Sequence, residues 1–486
     1  MKKTNKSDLL QKAKEALLKR MRPSRISSDR LSRNGTPSDP GEFALWSIGR
    51  HAEAEAARMV ISGKAGRLLQ EIGQLDGHLR ELEIAHTEIS DLSPLVGLSN
   101  LESLKVTATE IVDWSVLSSL KNLRRLELNY SGTKHVVVPD MSELVEVKIL
   151  NTHGRITLGN LPKLEKAEFQ VLEDLAEVGK QPKLVDLAFQ KIANRSLNAL
   201  TGVANLRQLS ARLHGAMDLH SLARHTSLAV LELTGPEVTD ISSISELASL
   251  ETLELNDFNV SNAHSLKELT KLRSLALRFT EQLADLSFLS DMRDLERLVL
   301  CPSADSDLSP LTKLPNLQHV ALVGISPRTN LSPLTLCKGL RRLSVSSDKN
   351  ANGPLLGLLP APPNLERLSL SGHAIDSLNG LERCRELQSL HCFQTTIDSL
   401  EPLKGMPQLR QVHVSRSNVS DLSVLATLPY FLAEEQGIKL SLRDTPAVKQ
   451  YPELEKTVSS EGSLAGYEYD EHETAVNAVR AVTCRT

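Results

Sequence analysis

Few residues in this chain stand at spacings that chemistry uses. His391 and His413 lie twenty-two residues apart; at the same position of neighbouring strands their rings would sit about 5 Å from each other, near enough to share a metal ion. No third ligand accompanies them, so contact with a partner is the favoured role and no metal site is expected. A phosphate-binding loop needs glycine five residues before the Gly63-Lys64 pair, where Arg58 stands. The run from Gly462 to Gly466 has its serine, Ser463, in the wrong place for a nucleophile elbow. The sequence contains no H-E-x-x-H and no calcium-binding EF-hand loop. Five cysteines, Cys301, Cys337, Cys384, Cys392 and Cys484, are odd in number and lack C-x-x-C spacing, which points to free thiols in a reducing compartment. These residues predict a protein that is not an enzyme and holds no cofactor.

Composition limits the remaining classes. Of the 486 residues, 40% are hydrophobic and 24% charged, a globular balance, and no apolar run reaches the length of a membrane span. Aromatic residues make up 3%, which disfavours surfaces built on stacked bases or sugars. The net charge of −4 conceals an uneven distribution: residues 1–34 hold eleven Lys and Arg against Asp8, Glu15 and Asp29. Residues 7–21 carry Leu9, Leu10, Ala13, Leu17, Leu18 and Met21 at helical spacing among lysines, and Gly35, Pro37 and Pro40 follow. A basic amphipathic helix on a flexible tail over residues 1–40 is expected. The first thirty-five residues lack a secretory apolar segment, so a cytoplasmic location is expected, with a non-Sec secretion route open.

The elements that position side chains come from a repeat. Leucines open similar segments at Leu79, Leu101, Leu123, Leu144, Leu164, Leu184, Leu206, Leu228, Leu250, Leu272, Leu295, Leu317, Leu340, Leu365, Leu387 and Leu409, mostly twenty-two residues apart. Each begins L-x-x-L-x-L, as in Leu228, Leu231 and Leu233, and the better ones continue to a D-L-S-P-L half such as Asp307 to Leu311. Alternating leucines put both side chains on one face of a short strand, while Asp-x-Ser-Pro suits the start of a helical turn. One coil cannot bury its leucines alone; a stack of coils can. The expected fold is an α/β solenoid: a curved array of 16–17 coils, with parallel strands on its concave face and short helical turns on the convex one. Sixteen strands about 4.8 Å apart would span on the order of 75 Å.

These segments resemble the twenty-two-residue class of leucine-rich repeats seen in bacterial internalins and in a eukaryotic phosphatase regulatory subunit. The resemblance covers residues 78–449 and implies a recognition surface, with a bacterial origin favoured. It also implies an Asn at the ninth position bonding along the stack, where this chain has Thr87, Thr109, Ser131, Thr395, Ser417 and His373. Repeats shortened to twenty residues, with Ala167 for a core leucine and Leu172 and Ile192 at the ninth position, predict an irregularity over 164–205. A helical cap is expected over 41–77, a partial seventeenth unit around Leu440 and Leu442, and an acidic tail over 450–486.

Positions three, five, seven and eight of each repeat should line the concave face. At position five Glu83, Lys105, Glu127, Lys148 and Glu168 alternate in sign, and neighbours of opposite charge support each other. Glu232, Glu254 and Asp257 form an acidic stripe. From the tenth repeat to the sixteenth the columns hold Arg278, Arg297, His319, Arg342, Arg367, His391, His413 and Arg416, without Asp or Glu, beside Phe279 and Phe393. These ten residues are the predicted contact surface for a protein partner with an acidic segment, since arginine offers paired donors to carboxylate or phosphate. A delivered bacterial effector or immunity-type factor would use the same surface. A nucleic-acid-associated subunit is less favoured, given the scarce aromatics and the acidity of the array.

Overall fold

The computed structural model describes residues 43–48, 57–63, 69 and 79–450, except 110, 112, 132–134, 152–154, 216, 259–262, 279–282, 348–358, 374 and 433–438. The basic segment over 1–40 and the acidic one over 451–486 lie outside the described residues. Nineteen strands form one sheet, and each pairing in it is parallel except that of the first strand with the second. The alternation of the repeat is visible in burial. Leu253 and Leu255 are buried, whereas Thr252, Glu254 and Asn256 between and beside them stay partly exposed. Apolar residues from Ile61 to Ala447 join in a continuous core, and each buried leucine contributes about 1.5 to 3 kcal/mol.

Most repeats return through a five-residue 3-10 turn, such as Ser93–Gly97, Ser287–Asp291 and Ser423–Thr427. Asp91, Asp285 and Asp421 set these turns by accepting the backbone N–H of Ser93, Ser287 and Ser423 at 2.7, 2.8 and 2.8 Å. The motif works one residue earlier than an ordinary N-cap, because the cap residue itself is a leucine (Leu92, Leu286, Leu422) facing the core. At the other end of the strand, position eight swings the chain out through the left-handed region: His86, Ala108, Asn151, Asp257, Gln394, Arg416 and Asp444 have φ between 52° and 61°. Gly372 holds the same position at φ 106°, and a Cβ there would collide with the Ser347 hydroxyl.

Between repeats, the backbone N–H of position two donates to the carbonyl of position two one coil earlier, as in Arg273 to Glu251 and Gln388 to Glu366, both 2.8 Å. The asparagine ladder stands at a different place from the one expected. Asn122, Asn205, Asn316 and Asn364, each just ahead of its strand leucine, donate to the carbonyls of Ser99, Pro182, Arg293 and Lys338 in the preceding coil. The ninth-position hydroxyls bond within their own turns: Ser417 donates to Val414 at 2.7 Å, and Thr87 accepts from Ile89 at 3.4 Å. Those of Thr109 and Thr395 are buried without a partner among the described residues.

Two other expectations are corrected. The cap over 41–77 contains strands where helices were expected: Phe43–Ile48 pairs antiparallel with Ala57–Gly63, which pairs parallel with Leu79–Thr87. A sheet edge presents unpaired N–H and C=O groups, and a further strand satisfies them directly where a helix would only cover them. The irregularity begins two coils earlier than expected and reaches into the expected window. His135–Val138 and Arg155–Leu158 replace two 3-10 turns by a parallel pair of strands, and the following turn shrinks to Val178–Lys180. An extended residue advances about 3.3 Å against about 2 Å in a 3-10 turn, so short coils close with fewer residues.

His225 occupies a core position held by leucine in other coils, such as Leu247 and Leu269; it is 3% exposed and its Nε2 has no partner among the described residues. Burial pushes its pKa below the ordinary 6.5, against a hydrogen bond involving Val203. The unfolded chain therefore protonates at higher pH than the folded one, so stability is complete above about pH 6.5 and declines below it. Thermal melting between about pH 7 and pH 5 should show this loss, and His225→Leu should diminish it. Ala108→Gly should raise the unfolding free energy by about 1 kcal/mol by relieving the left-handed backbone, while Gly372→Ala should lower it, both read from denaturant midpoints.

Candidate recognition site

The register turns the sequence columns into rows of neighbours. In the first coils those rows neutralise themselves. Lys105 lies 3.5 Å from both Glu83 and Glu127, Lys148 bonds Glu168 at 2.7 Å, and Arg125 reaches Glu81 at 3.0 Å. The Glu168 carboxylate holds the Lys148 pKa above its usual value. Further along, Glu232 and Glu254 are direct neighbours, and Arg278 approaches Glu254 at 3.6 Å while donating to Asn256 at 2.9 Å. Arg278 thus belongs to the acidic stripe and serves it as a counter-ion.

On the next four strands, Arg297 pairs in register with His319, His319 with Arg342, and Arg342 with Arg367. The three arginines are exposed and His319 is partly buried. No ion pair joins these arginines to a carboxylate among the described residues. Glu296 and Glu366, which stand beside them in sequence, are taken up at the rim by Arg273, at 3.1 Å, and by Arg341. Burial lowers the His319 pKa, and Arg342 and Arg297 lower it further. The floor beside this row is small: Ala276, Val299, Ala321, Ser344 and Ser369 follow one another at position five.

His391 and His413 are register neighbours whose rings stack at 4.4 Å and 9°. Face-to-face rings do not converge their nitrogens on one point, and no group of three metal-ligating side chains occurs among the described residues. The Ser389 hydroxyl donates to Gln411 at 3.0 Å, so the 2.8 Å contact between His391 Nε2 and Ser389 has the histidine as donor. Burial holds the His391 pKa down, partly offset by Gln411. Arg416 lies over the Phe393 ring at 5.4 Å and bonds Asp444 at 3.2 Å. Phe279 lies outside the described residues.

Of the ten predicted residues, the structure brings Arg297, His319, Arg342 and Arg367 into one row and sets His391, Phe393 and His413 at its end. It ties Arg278 and Arg416 to carboxylates. Asp444, Ser389 and Gln411 were missed. Carrying the columns into the seventeenth coil would have placed Asp444 at position eight beside Arg416. Three thiols are buried: burial pushes Cys337 and Cys384 up to about 11 and raises Cys392 as well.

No protein-family model matches the chain, and no curated protein does. Solved structures do. A leucine-rich repeat protein of Leptospira interrogans is similar over 68% of this chain and 88% of that one, with 21% identity and a TM-score of 0.53. The fold is a leucine-rich repeat solenoid. An internalin of Listeria monocytogenes is also similar, at 19% identity and a TM-score of 0.46, over 68% of this chain and 86% of that one. The leucine-rich repeat frame accounts for the evenly spaced row of charges but does not dictate their sign, which this chain sets at exposed positions. Among the described residues no helix is long and apolar enough to cross a membrane.

Because Arg342 depresses the His319 pKa through space, Arg342→Gln should move that pKa up towards the ordinary 6.5. Histidine proton NMR titration reads the shift, and an unchanged midpoint would show that Arg342 does not contribute to it.

Proposed function

We propose that this leucine-rich repeat protein is a non-enzymatic recognition module that holds an acidic segment of a partner protein on its strand face. The observation that carries the reading is the row Arg297, His319, Arg342 and Arg367, in direct register and without a described counter-ion. In the first coils basic side chains are offset by acidic neighbours, and Arg212 stands alone among the described residues, so this row, with its cations side by side, is the place where an incoming carboxylate gains most. The small residues at position five leave room for a ligand backbone to approach, and Phe393, 47% exposed, offers an apolar contact at the end of the row. A phosphodiester strand would meet the same arginines, but among the described residues of this surface Phe393 is the one phenyl ring to stack on, where sequence-independent strand binding uses several.

The test is fluorescence anisotropy with a labelled glutamate-rich peptide. Changing Arg297, Arg342 and Arg367 together to Glu should abolish binding while leaving the melting transition in place, since all three are exposed. Wild-type affinity should fall as salt rises. Unchanged affinity in the triple variant would remove the row from the site.

A further inference from the structure

Many charges on the strand face and its rim are matched by an opposite one. Along the rim Arg273 meets Glu296 and Arg341 meets Glu366; on the face Lys105 stands between Glu83 and Glu127. Where like charges do adjoin, a third group offsets them: Arg278 reaches Glu254 beside Glu232, and Asp444 lies within 3.2 Å of Arg416 and 3.7 Å of Arg443. Arg342 and Arg367 depart from this pattern as direct neighbours, where other unpaired cations among the described residues, such as Arg212, stand singly. They are direct register partners, about 4.8 Å apart along the sheet, with no carboxylate paired to either among the described residues.

We infer that Arg342 and Arg367, with Ser344, Ser369 and His391 around them, form a seat for a phosphoryl group carried by the bound protein segment. The inference rests on the recognition reading and narrows it. A carboxylate brings one negative charge and satisfies one guanidinium; a phosphomonoester brings about −1.5 to −2 at neutral pH and three acceptor oxygens. One such group can therefore be shared by two guanidinium planes on adjacent strands. Ser344 and Ser369 are register partners one column over, so two hydroxyl-bearing residues lie on the same face beside the arginines. His391 is the register partner of Ser369 on the next strand. Its Nε2 is committed to Ser389, so a proton taken up on anion binding lands on Nδ1 and adds a donor. Burial holds the His391 pKa down, and a bound anion would offset that burial. A phosphodiester carries a single charge per phosphate and fits this doubly cationic seat less well than a terminal phosphoryl group.

The experiment compares inorganic phosphate with acetate at equal ionic strength, following the His391 imidazole signals by NMR. It adds three labelled acidic peptides that differ at one central residue, Ser, Glu or phosphoserine, and a single-stranded oligonucleotide. Phosphate is expected to shift the signals saturably where acetate does not, and the phosphoserine peptide to bind about tenfold more tightly than the Glu peptide. Both effects should vanish in the Arg342→Gln, Arg367→Gln double variant and persist in Arg125→Gln, which lies in the self-neutralised half. Should the double variant melt early, Arg342→Lys with Arg367→Lys keeps the charge, removes the paired donor geometry and should shrink the phosphoserine preference. Equal affinity for Glu and phosphoserine peptides, with unmoved His391 signals, would overturn the phosphoryl seat and leave the acidic-segment reading standing. Failure of all three peptides to bind would end both. An oligonucleotide bound more tightly than the phosphoserine peptide would overturn the seat in favour of nucleic acid.

Discussion

One hydrogen bond, repeated, governs this molecule: the amide of each second position reaching the carbonyl of the second position a coil before. The chain of such bonds runs from Glu102 donating to Arg80 through to Arg410 donating to Gln388. It locks every strand in register with the next, so residues at equal positions become neighbours at strand spacing regardless of the length of the loop between them. The leucines of L-x-x-L-x-L then stack into a core without a break, and the side chains between them form straight rows. Insertions are absorbed elsewhere. The coil from Leu340 to Leu365 takes twenty-five residues, and Arg342 still faces Arg367.

Fixed spacing makes the sign of each neighbour consequential. Side chains that cannot move apart along the sheet must either attract one another or be offset from a third position, and both solutions occur. Lys148 with Glu168 is the first; Arg278 beside Glu232 and Glu254 is the second. Against that background, a row of uncompensated cations reads as unfinished electrostatics. The stability it forgoes is small because the groups are exposed, so the fold tolerates the row while leaving it open to a ligand.

The architecture was legible because leucine spacing reports burial, and burial is what the fold is made of. Rows were legible too, once positions were aligned. What the sequence concealed depends on partners outside the repeat. The strands Phe43–Ile48 and Ala57–Gly63 form where an adjoining edge offers hydrogen bonds, whatever their own helical spacing suggests. Extended segments at His135–Val138 and Arg155–Leu158 suit both the short coils and their β-branched residues, Val136, Val137, Val138, Ile156 and Thr157. Arg278 and Arg416 looked available because their carboxylates, Glu254 and Asp444, stand in neighbouring coils. Asn122 and its counterparts carry the ladder from a position that the family resemblance did not point to.

The direction of the ladder also has a mechanical meaning. Its bonds lie along the solenoid axis, so tension applied at the two ends would pull each strand squarely away from its neighbour. Bonds loaded that way break in succession, in contrast to the shared shear of strands drawn lengthwise. With each coil touching only the next, the array would yield from an end like an unwinding spring, and a ligand lying across several strands would clamp the coils beneath it.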